Sequence, residues 1–585
     1  MVSASGRYIL ALNGEIYNAK ALRAELAASS CTVAWRGHSD TEVLLEAIAH
    51  WGLQATLRRS NGMFALALWD RADRRLSLAR DRIGKKPLYY NWAGNTFTFG
   101  SELKALWQHP GFDTTLDPVA LADFLRLGYV IGPRSIFANA HKLPPGTVLT
   151  LGPDGNPRTE SYWNVKDVAL DGLAARASGQ SANQDELDAL LRDAVRIRMI
   201  ADVPVGSLLS GGVDSSLITA LMAEQTSEPI RTFAVGFGMP ALDEVRHARL
   251  VADSLGANHS ETMISAADVR ALVAQLPTIY DEPFADDSMI PTTLLCRAAR
   301  RDVTVVLSGD GGDELFAGYE RYPDAARWLA RRRLVPLPLR YLAREVAAHI
   351  ARPAAGALGW RRTERRLRLL DDLLADDEAE HFNAAIMSRT LDPDALMAVP
   401  ARSRNPLLAD AFRLGQSTDV DRMMLQDCGS YLVDDILAKV DRASMSASLE
   451  VRCPLLDYRV IEMAWRFQAT EKTRDGLGKR PLRALLHRHV PRILVDRPKM
   501  GFTAPVDVWL RDTLRDWAES LLSREALASH GLLNVAACRA LWDDFAVRGR
   551  AWNPTIWSVL MFQAWHGSML QAIATRHMDL SRLPA

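Results

Sequence analysis

At 585 residues the chain has room for two to four domains, each with a core of its own. Lysine plus arginine equals aspartate plus glutamate at 70 each, so no global basic field points to nucleic acid as a partner, and 48% hydrophobic with 24% charged residues is ordinary for a soluble globular protein. No apolar run approaches a membrane span and Tyr8–Leu12 is too short for a signal peptide, which points to the cytoplasm. Cys31, Cys296, Cys428, Cys453 and Cys538 are too scattered for a metal site or a disulfide scaffold and read as small buried hydrophobes.

Tyr8–Leu12 reads as a strand that runs into Asn13-Gly-Glu15, where the Asn-Gly pair by itself suggests a hairpin turn. Arg36–Thr41 is a polar loop leading into a helix, Asn61–Asp70 a buried strand, and Ala79–Tyr90 and Ser101–Leu106 follow. Short strands and turns dominate, so this part reads as a β-rich α+β layer structure. Together these segments resemble the glutamine amidohydrolase domain of the class II, N-terminal-nucleophile amidotransferases, in the form fused to asparagine synthetase. The resemblance implies a β-rich sandwich in which Asn13, Gly14 and Glu15 hold glutamine, Asn13 and Gly14 supply an oxyanion hole, and Asp40 binds the α-amino group.

One departure stands out. The family opens Met-Cys-Gly, and the exposed cysteine serves as nucleophile with its own α-amine as base; here residue 2 is valine, and Cys31 has no free α-amine. The opening strands and an arginine-bearing loop of the family are also missing from the match, so the sandwich is expected to be incomplete, with apolar faces uncovered over the first hundred residues. Glutamine hydrolysis by this chain is not expected.

From Leu116 the pattern turns helical, with Asp117 as N-cap and Pro118 in the first turn. The stretch from Gly152 to Asn183 is rich in small and polar residues with weak periodicity, so the expected division is a domain over 1–165, a linker over 166–184 and a second domain over 185–585.

The second domain opens with an apolar run, Val203 to Leu209, that breaks into Ser210-Gly-Gly212 and then Asp214, Ser215 and Ser216 before a helix. Strand, glycine loop and helix make an anion cradle, and Asp214 puts a carboxylate where Mg²⁺ could sit between protein and phosphates. The spacing is neither a P-loop nor a dinucleotide fingerprint. It resembles the pyrophosphate loop of the N-type ATP pyrophosphatases. Arg231–Phe237 and Arg301–Leu307 read as further strands separated by helices, giving a doubly wound parallel sheet with extra helices. The third strand ends in Ser308-Gly-Asp-Gly-Gly-Asp313, which resembles the second signature of the asparagine synthetases. That resemblance implies Mg²⁺ and pyrophosphate shared by Asp214 and Asp313, AMP contacts from Ser308 and Gly309, a nucleoside pocket lined by Leu209 and Val235, and a role for Asp310 near the ammonia path. Asp281–Ser288, Asp434–Met445, Lys479-Arg-Pro-Leu-Arg483 and Arg497–Phe502 fit the same family, with Lys479 as the cation facing the α-phosphate and Lys499 as a secondary phosphate ligand.

The resemblance to the asparagine synthetase family, of the bacterial B type, therefore implies an AMP-forming carbon–nitrogen ligase. It would adenylate aspartate with Mg-ATP and take nitrogen from glutamine or, in this chain, from ammonia. Two alternatives stay open: an amidotransferase acting on a sugar acid of a surface polysaccharide, and a pseudoenzyme kept as a structural partner. A homodimer is allowed. Arginines between 321 and 368 read as solvated helical faces.

Overall fold

The computed structural model describes residues 1–29, 33–239, 244–346, 349, 378–415, 417–497 and 504–580. Cys31, Lys499, Arg361 and Arg362 lie outside them; the other four cysteines are free and buried.

The N-terminal strands are β1 (Tyr8–Ile16), β2 (Gly62–Asp70), β3 (Arg75–Arg80), β4 (Tyr89–Ala93), β5 (Thr96–Gly100), β6 (Ala140–Lys142), β7 (Thr147–Leu151) and β8 (Pro157–Ser161). They form one antiparallel sheet in the order β1-β2-β3-β7-β8 and a second in the order β5-β4-β6. Alternation sorts the side chains of β2 to the two faces: Phe64, Leu66 and Leu68 join Leu22, Val43 and Leu44 of the helices Ala19–Ala28 and Asp40–Trp51. Ala65 and Ala67 point the other way, into a core with Leu78, Leu88, Leu143 and Leu149 that Tyr90 and Phe97 of the second sheet close. Both faces are therefore covered, contrary to the exposed faces expected over the first hundred residues. The first residues double back on the edge strand, with Val2 bridging Ile9 and the terminal amine donating to the Leu10 carbonyl.

The C-terminal part is built on β9 (Val205–Leu208), β10 (Arg231–Gly236), β11 (Asn258–Met263), β12 (Val305–Leu307) and β13 (Glu450–Arg452). All pair in parallel, in the order β11-β10-β9-β12-β13. The chain winds outward from β9 to β11 and then returns to the other side of β9, so the direction of winding reverses between β9 and β12. Such a reversal opens a crevice at the carboxyl ends of the two strands. Ser207 lies opposite Leu307, so the loops that begin at Ser210 and Ser308 leave the sheet side by side.

The stretch expected as a linker is packed structure. The expected linker is largely the helix Val165–Ala177, packed on the helix Tyr458–Arg466 so closely that a Cβ on Gly172 would stand 2.6 Å from the Trp465 Cβ. Leu121, Phe124 and Phe137, assigned to the first domain, lie in the main core of the second. The two parts are also joined by buried charges: Lys86 pairs with Asp441 at 2.9 Å, and Asp457 receives both Arg198 and Asn61 at 2.8 Å. Arg321 and Arg333, in the arginine-rich stretch, pair with Asp427 and Asp419.

One buried cation in this core is poorly served. Lys472 is 0% exposed, lies 5.0 Å from the Trp465 ring centre and 4.0 Å from the Met424 sulfur, and burial pushes its ammonium down to about 7 from 10.5. Between those two values the folded chain binds fewer protons than the unfolded one, so stability from this group grows as pH rises from about 7 to 10.5. Lys472→Met is expected to raise the melting temperature by about 2 °C or more at neutral pH and to remove that part of the alkaline slope, read by thermal melts across pH.

Candidate active site

The crevice at the reversal is a cavity of about 1090 Å³. Its floor is the loop after β9. Gly211 takes φ +73° and turns away from the cavity, where a Cβ would run into the backbone of His247 at 2.7 Å. Ser210, Gly212, Asp214 and Ser215 remain on the cavity wall. The loop is tied by Ser215, whose hydroxyl lies 3.1 Å from that of Ser210 and accepts from the Ser210 amide. The helix Val213–Ala223 starts here and aims its N-terminus at the crevice.

The loop after β12 closes on the first. Gly312 is required by that approach, because a Cβ there would stand 2.3 Å from an Asp214 carboxylate oxygen. Ser308, Gly309, Asp310 and Asp313 all reach the cavity. Lys479 enters from a third direction. It precedes the helix Arg480–Leu486 instead of lying within it, at φ +57°, a conformation uncommon for a side-chain-bearing residue, and its amide donates to the Phe316 carbonyl at 2.9 Å. Its ammonium contacts Asp214 and lies 2.8 Å from Asp313, so the two carboxylates from separate loops converge on one cation. Burial opposes that charge, but the two carboxylates prevail and raise the Lys479 pKa above that of an ordinary lysine.

Leu209 and Val235 line the cavity beside the first loop, where sequence placed a nucleoside pocket. Asp310 accepts the Ser308 hydroxyl at 2.7 Å, and burial pushes its carboxyl up. The other wall carries charges that sequence reading left unassigned: Asp286, Asp287, Arg389, Asp435 and Lys439. Asp434 and Asp435 sit on a π-helical turn, Leu432–Leu437, which leads directly into the helix Ala438–Ser446 that bears Lys439. Lys439 reaches Asp286 at 2.6 Å. At Asp286 burial works against ionisation, but Lys439 and a hydrogen bond from Asp435 hold its carboxyl low; Asp435, buried against that charge, is pushed well up. The pair thus shares one proton, and one lysine balances the remaining charge. Burial and the neighbouring Asp286 push Asp287 up to about 6. Trp552, read as core, also borders the cavity.

The residues read as glutamine-binding lie elsewhere and do not line this cavity. Asn13 donates to the Ser101 hydroxyl at 2.9 Å, Gly14 lies opposite Phe64 in the β1–β2 ladder, and Asp40, the first residue of its helix, accepts from the Ile16 amide at 2.8 Å and from the Thr41 amide at 2.6 Å. Glu15 faces Arg452 at 3.7 Å, across the contact between the two parts; burial, then the charge of Asp40, push its carboxyl up to about 7. From Arg452, the last residue of β13, the carbonyl accepts the Ser308 amide at 3.0 Å, so the two groups of residues are linked through one strand. Among the described residues no cluster of three or more histidine, cysteine, aspartate or glutamate side chains suits a metal ion; Asp214 and Asp313 are a two-carboxylate site, which suits Mg²⁺ when phosphates complete its shell.

The arrangement defines a two-part protein: a β-layered domain joined to a doubly wound sheet with a lysine–carboxylate centre at its crevice. Residues 186–567 match the asparagine synthase family and residues 1–163 a glutamine amidotransferase domain. The chain belongs to the asparagine synthase family, whose glutamine-hydrolysing members are amidotransferase ligases of amino-acid biosynthesis acting on small molecules. It is 32% identical over 567 residues to asparagine synthetase [glutamine-hydrolyzing] 1 of Bacillus subtilis strain 168, covering 96% of this chain and 85% of the relative. It is likewise 32% identical over 573 residues to a putative asparagine synthetase [glutamine-hydrolyzing] of Mycobacterium tuberculosis H37Rv, covering 97% and 85%. The solved glutamine phosphoribosylpyrophosphate amidotransferase of B. subtilis overlaps only slightly, at TM-score 0.20 and 14% identity over 53% of this chain and 62% of that one. No helix among the described residues is long and apolar enough to cross a membrane.

The shared-proton pair can be tested by its stability. Lys439→Met should lower stability by about 3–5 kcal/mol by leaving a buried carboxylate without its cation, and adding Asp286→Asn should restore most of the loss, as read in thermal and denaturant melts of the single and double variants.

Proposed function

We propose that this chain makes an amide from a carboxylate in two steps at the crevice between β9 and β12. An oxygen of the aspartate side-chain carboxylate attacks the α-phosphorus of ATP, the bond to the β-phosphate oxygen breaks, and pyrophosphate leaves behind an acyl adenylate. Ammonia then attacks the acyl carbon, the carbon–oxygen bond to AMP breaks, and the amide forms with loss of a proton. The observation that carries this reading is the convergence of Asp214, Asp313 and Lys479, on three separate segments, beside the glycine loop at a helix N-terminus.

The loop amides at Ser210–Ser215 would hold pyrophosphate, and Ser308, Gly309, Leu209 and Val235 the AMP part. Asp214 and Asp313 fit Mg²⁺, which would neutralise phosphate charge when bound. Their release of Lys479 toward the α-phosphate would then place its positive charge where negative charge grows. Asp310, which also borders the crevice, would act on the ammonia side of the adenylate, as the family resemblance implies. The polar wall of Asp287, Arg389 and Lys439 offers both signs of charge to an acceptor that carries both, as aspartate does.

The nitrogen that reaches the acyl adenylate is ammonia, added free or released from glutamine.

Pyrophosphate release, measured with aspartate or a panel of sugar acids and with ammonia or glutamine, tests the proposal. It expects turnover with aspartate and ammonia, and the glutamine arm reports whether the first domain supplies that ammonia. Sugar-acid dependence would replace the acceptor, and silence with every acceptor would contradict ligase activity. Lys479→Met should lower kcat by about 10²–10³-fold and, by leaving Asp214 and Asp313 without their cation, also lower the melting temperature, while Lys479→Arg should retain part of both.

A further inference from the structure

The cavity holds a cation to which the functional reading gives no role. Arg497 lies at the end of the described segment after the helix Arg492–Val495 and reaches back over the first loop. Its Nη2 donates to the Ser210 carbonyl at 3.4 Å and to Glu244 at 3.1 Å. Both side chains are largely buried, at 15% and 12% exposed. Nη1 of the same guanidinium is buried, and among the described residues it has no hydrogen-bond partner, although Arg497 borders the cavity together with Ser210, Gly212 and Asp214. A buried donor of a charged group without an acceptor is unfavourable, and a guanidinium anchored through one nitrogen presents the other in a fixed direction. Among the described residues the other cations on this side are already engaged: Lys479 with two carboxylates, and Arg483 with Asp496 at 2.8 Å.

We propose that Arg497 is a ligand of the terminal phosphates of ATP, and of pyrophosphate after cleavage, with Glu244 as the residue that positions it over the Ser210 loop. The phosphate oxygens supply the missing acceptor, and the planar fork suits them better than the point charge of a lysine. The assignment rests on the ATP-cleaving reading of the crevice and separates its two ends: Arg497 serves the leaving group, not the AMP or the acceptor.

Calorimetric titration of the full chain with inorganic pyrophosphate plus Mg²⁺, and separately with AMP, tests it. Arg497→Gln is expected to weaken pyrophosphate binding about tenfold or more while AMP affinity stays within about twofold, and Arg497→Lys should fall between the two. Unchanged pyrophosphate affinity in Arg497→Gln overturns the assignment, as does parallel weakening of both ligands, which would mark a structural role; if that variant does not fold, Arg497→Lys decides by the same two criteria. A wild-type chain that binds neither ligand would instead bring down the ATP-cleaving reading itself.

Discussion

The contact on which the site depends is the double ion pair of Lys479 with Asp214 and Asp313. Two carboxylates at this separation repel each other in a buried crevice, and each would be costly to ionise without a cation. The lysine lets both stay charged and draws together three segments that the chain brings in from far apart. The rest of the architecture supplies what that contact needs. Parallel pairing of β9 with β12 sets the two loops side by side, Gly312 allows them to touch, and the left-handed turn at Lys479 points its side chain inward. In the proposed reaction the same carboxylates would exchange the ammonium for Mg²⁺, so the resting contact and the working one would use the same residues.

Around this centre the two parts of the chain do not separate cleanly. Helical segments assigned to the first domain lie in the main core of the second, and the charges between the parts, Lys86 with Asp441 and Arg198 with Asp457, are buried. A buried pair of this kind holds its partners in register because breaking it exposes one charge to an apolar setting. β13 carries this arrangement to the site: Arg452 faces Glu15 on one side, and its backbone holds Ser308 on the other.

Much of this was legible in the sequence where local chemistry is strong. Apolar runs ending in glycines marked β9, β10 and β12, and Asp117 with Pro118 marked a helix start that the structure reproduces. The two outer strands were not legible. β11 reads Asn-His-Ser-Glu-Thr-Met, an edge strand that buries too little to require an apolar run, and β13, Glu-Val-Arg, is too short to show alternation. The linker was misjudged for a related reason: the helix Val165–Ala177 uses small residues such as Gly172 to pack closely, and small residues resemble a loose connection on paper. Within the site, glycine loops announce themselves locally, whereas Lys439 lies on a helix and Asp286 in a distant loop, and nothing in their spacing predicts that they meet. Arg497 falls in a motif that was noticed, but its contact with Glu244 appears only in three dimensions.

The central claim is that the crevice joins a carboxylate oxygen to the α-phosphorus of ATP. Aspartate labelled with ¹⁸O in its side-chain carboxylate, turned over with ATP and ammonia, tests that bond directly through the mass of the AMP produced. The account predicts AMP that carries one ¹⁸O atom from the acceptor; unlabelled AMP, or label found in inorganic phosphate alongside ADP, would contradict it.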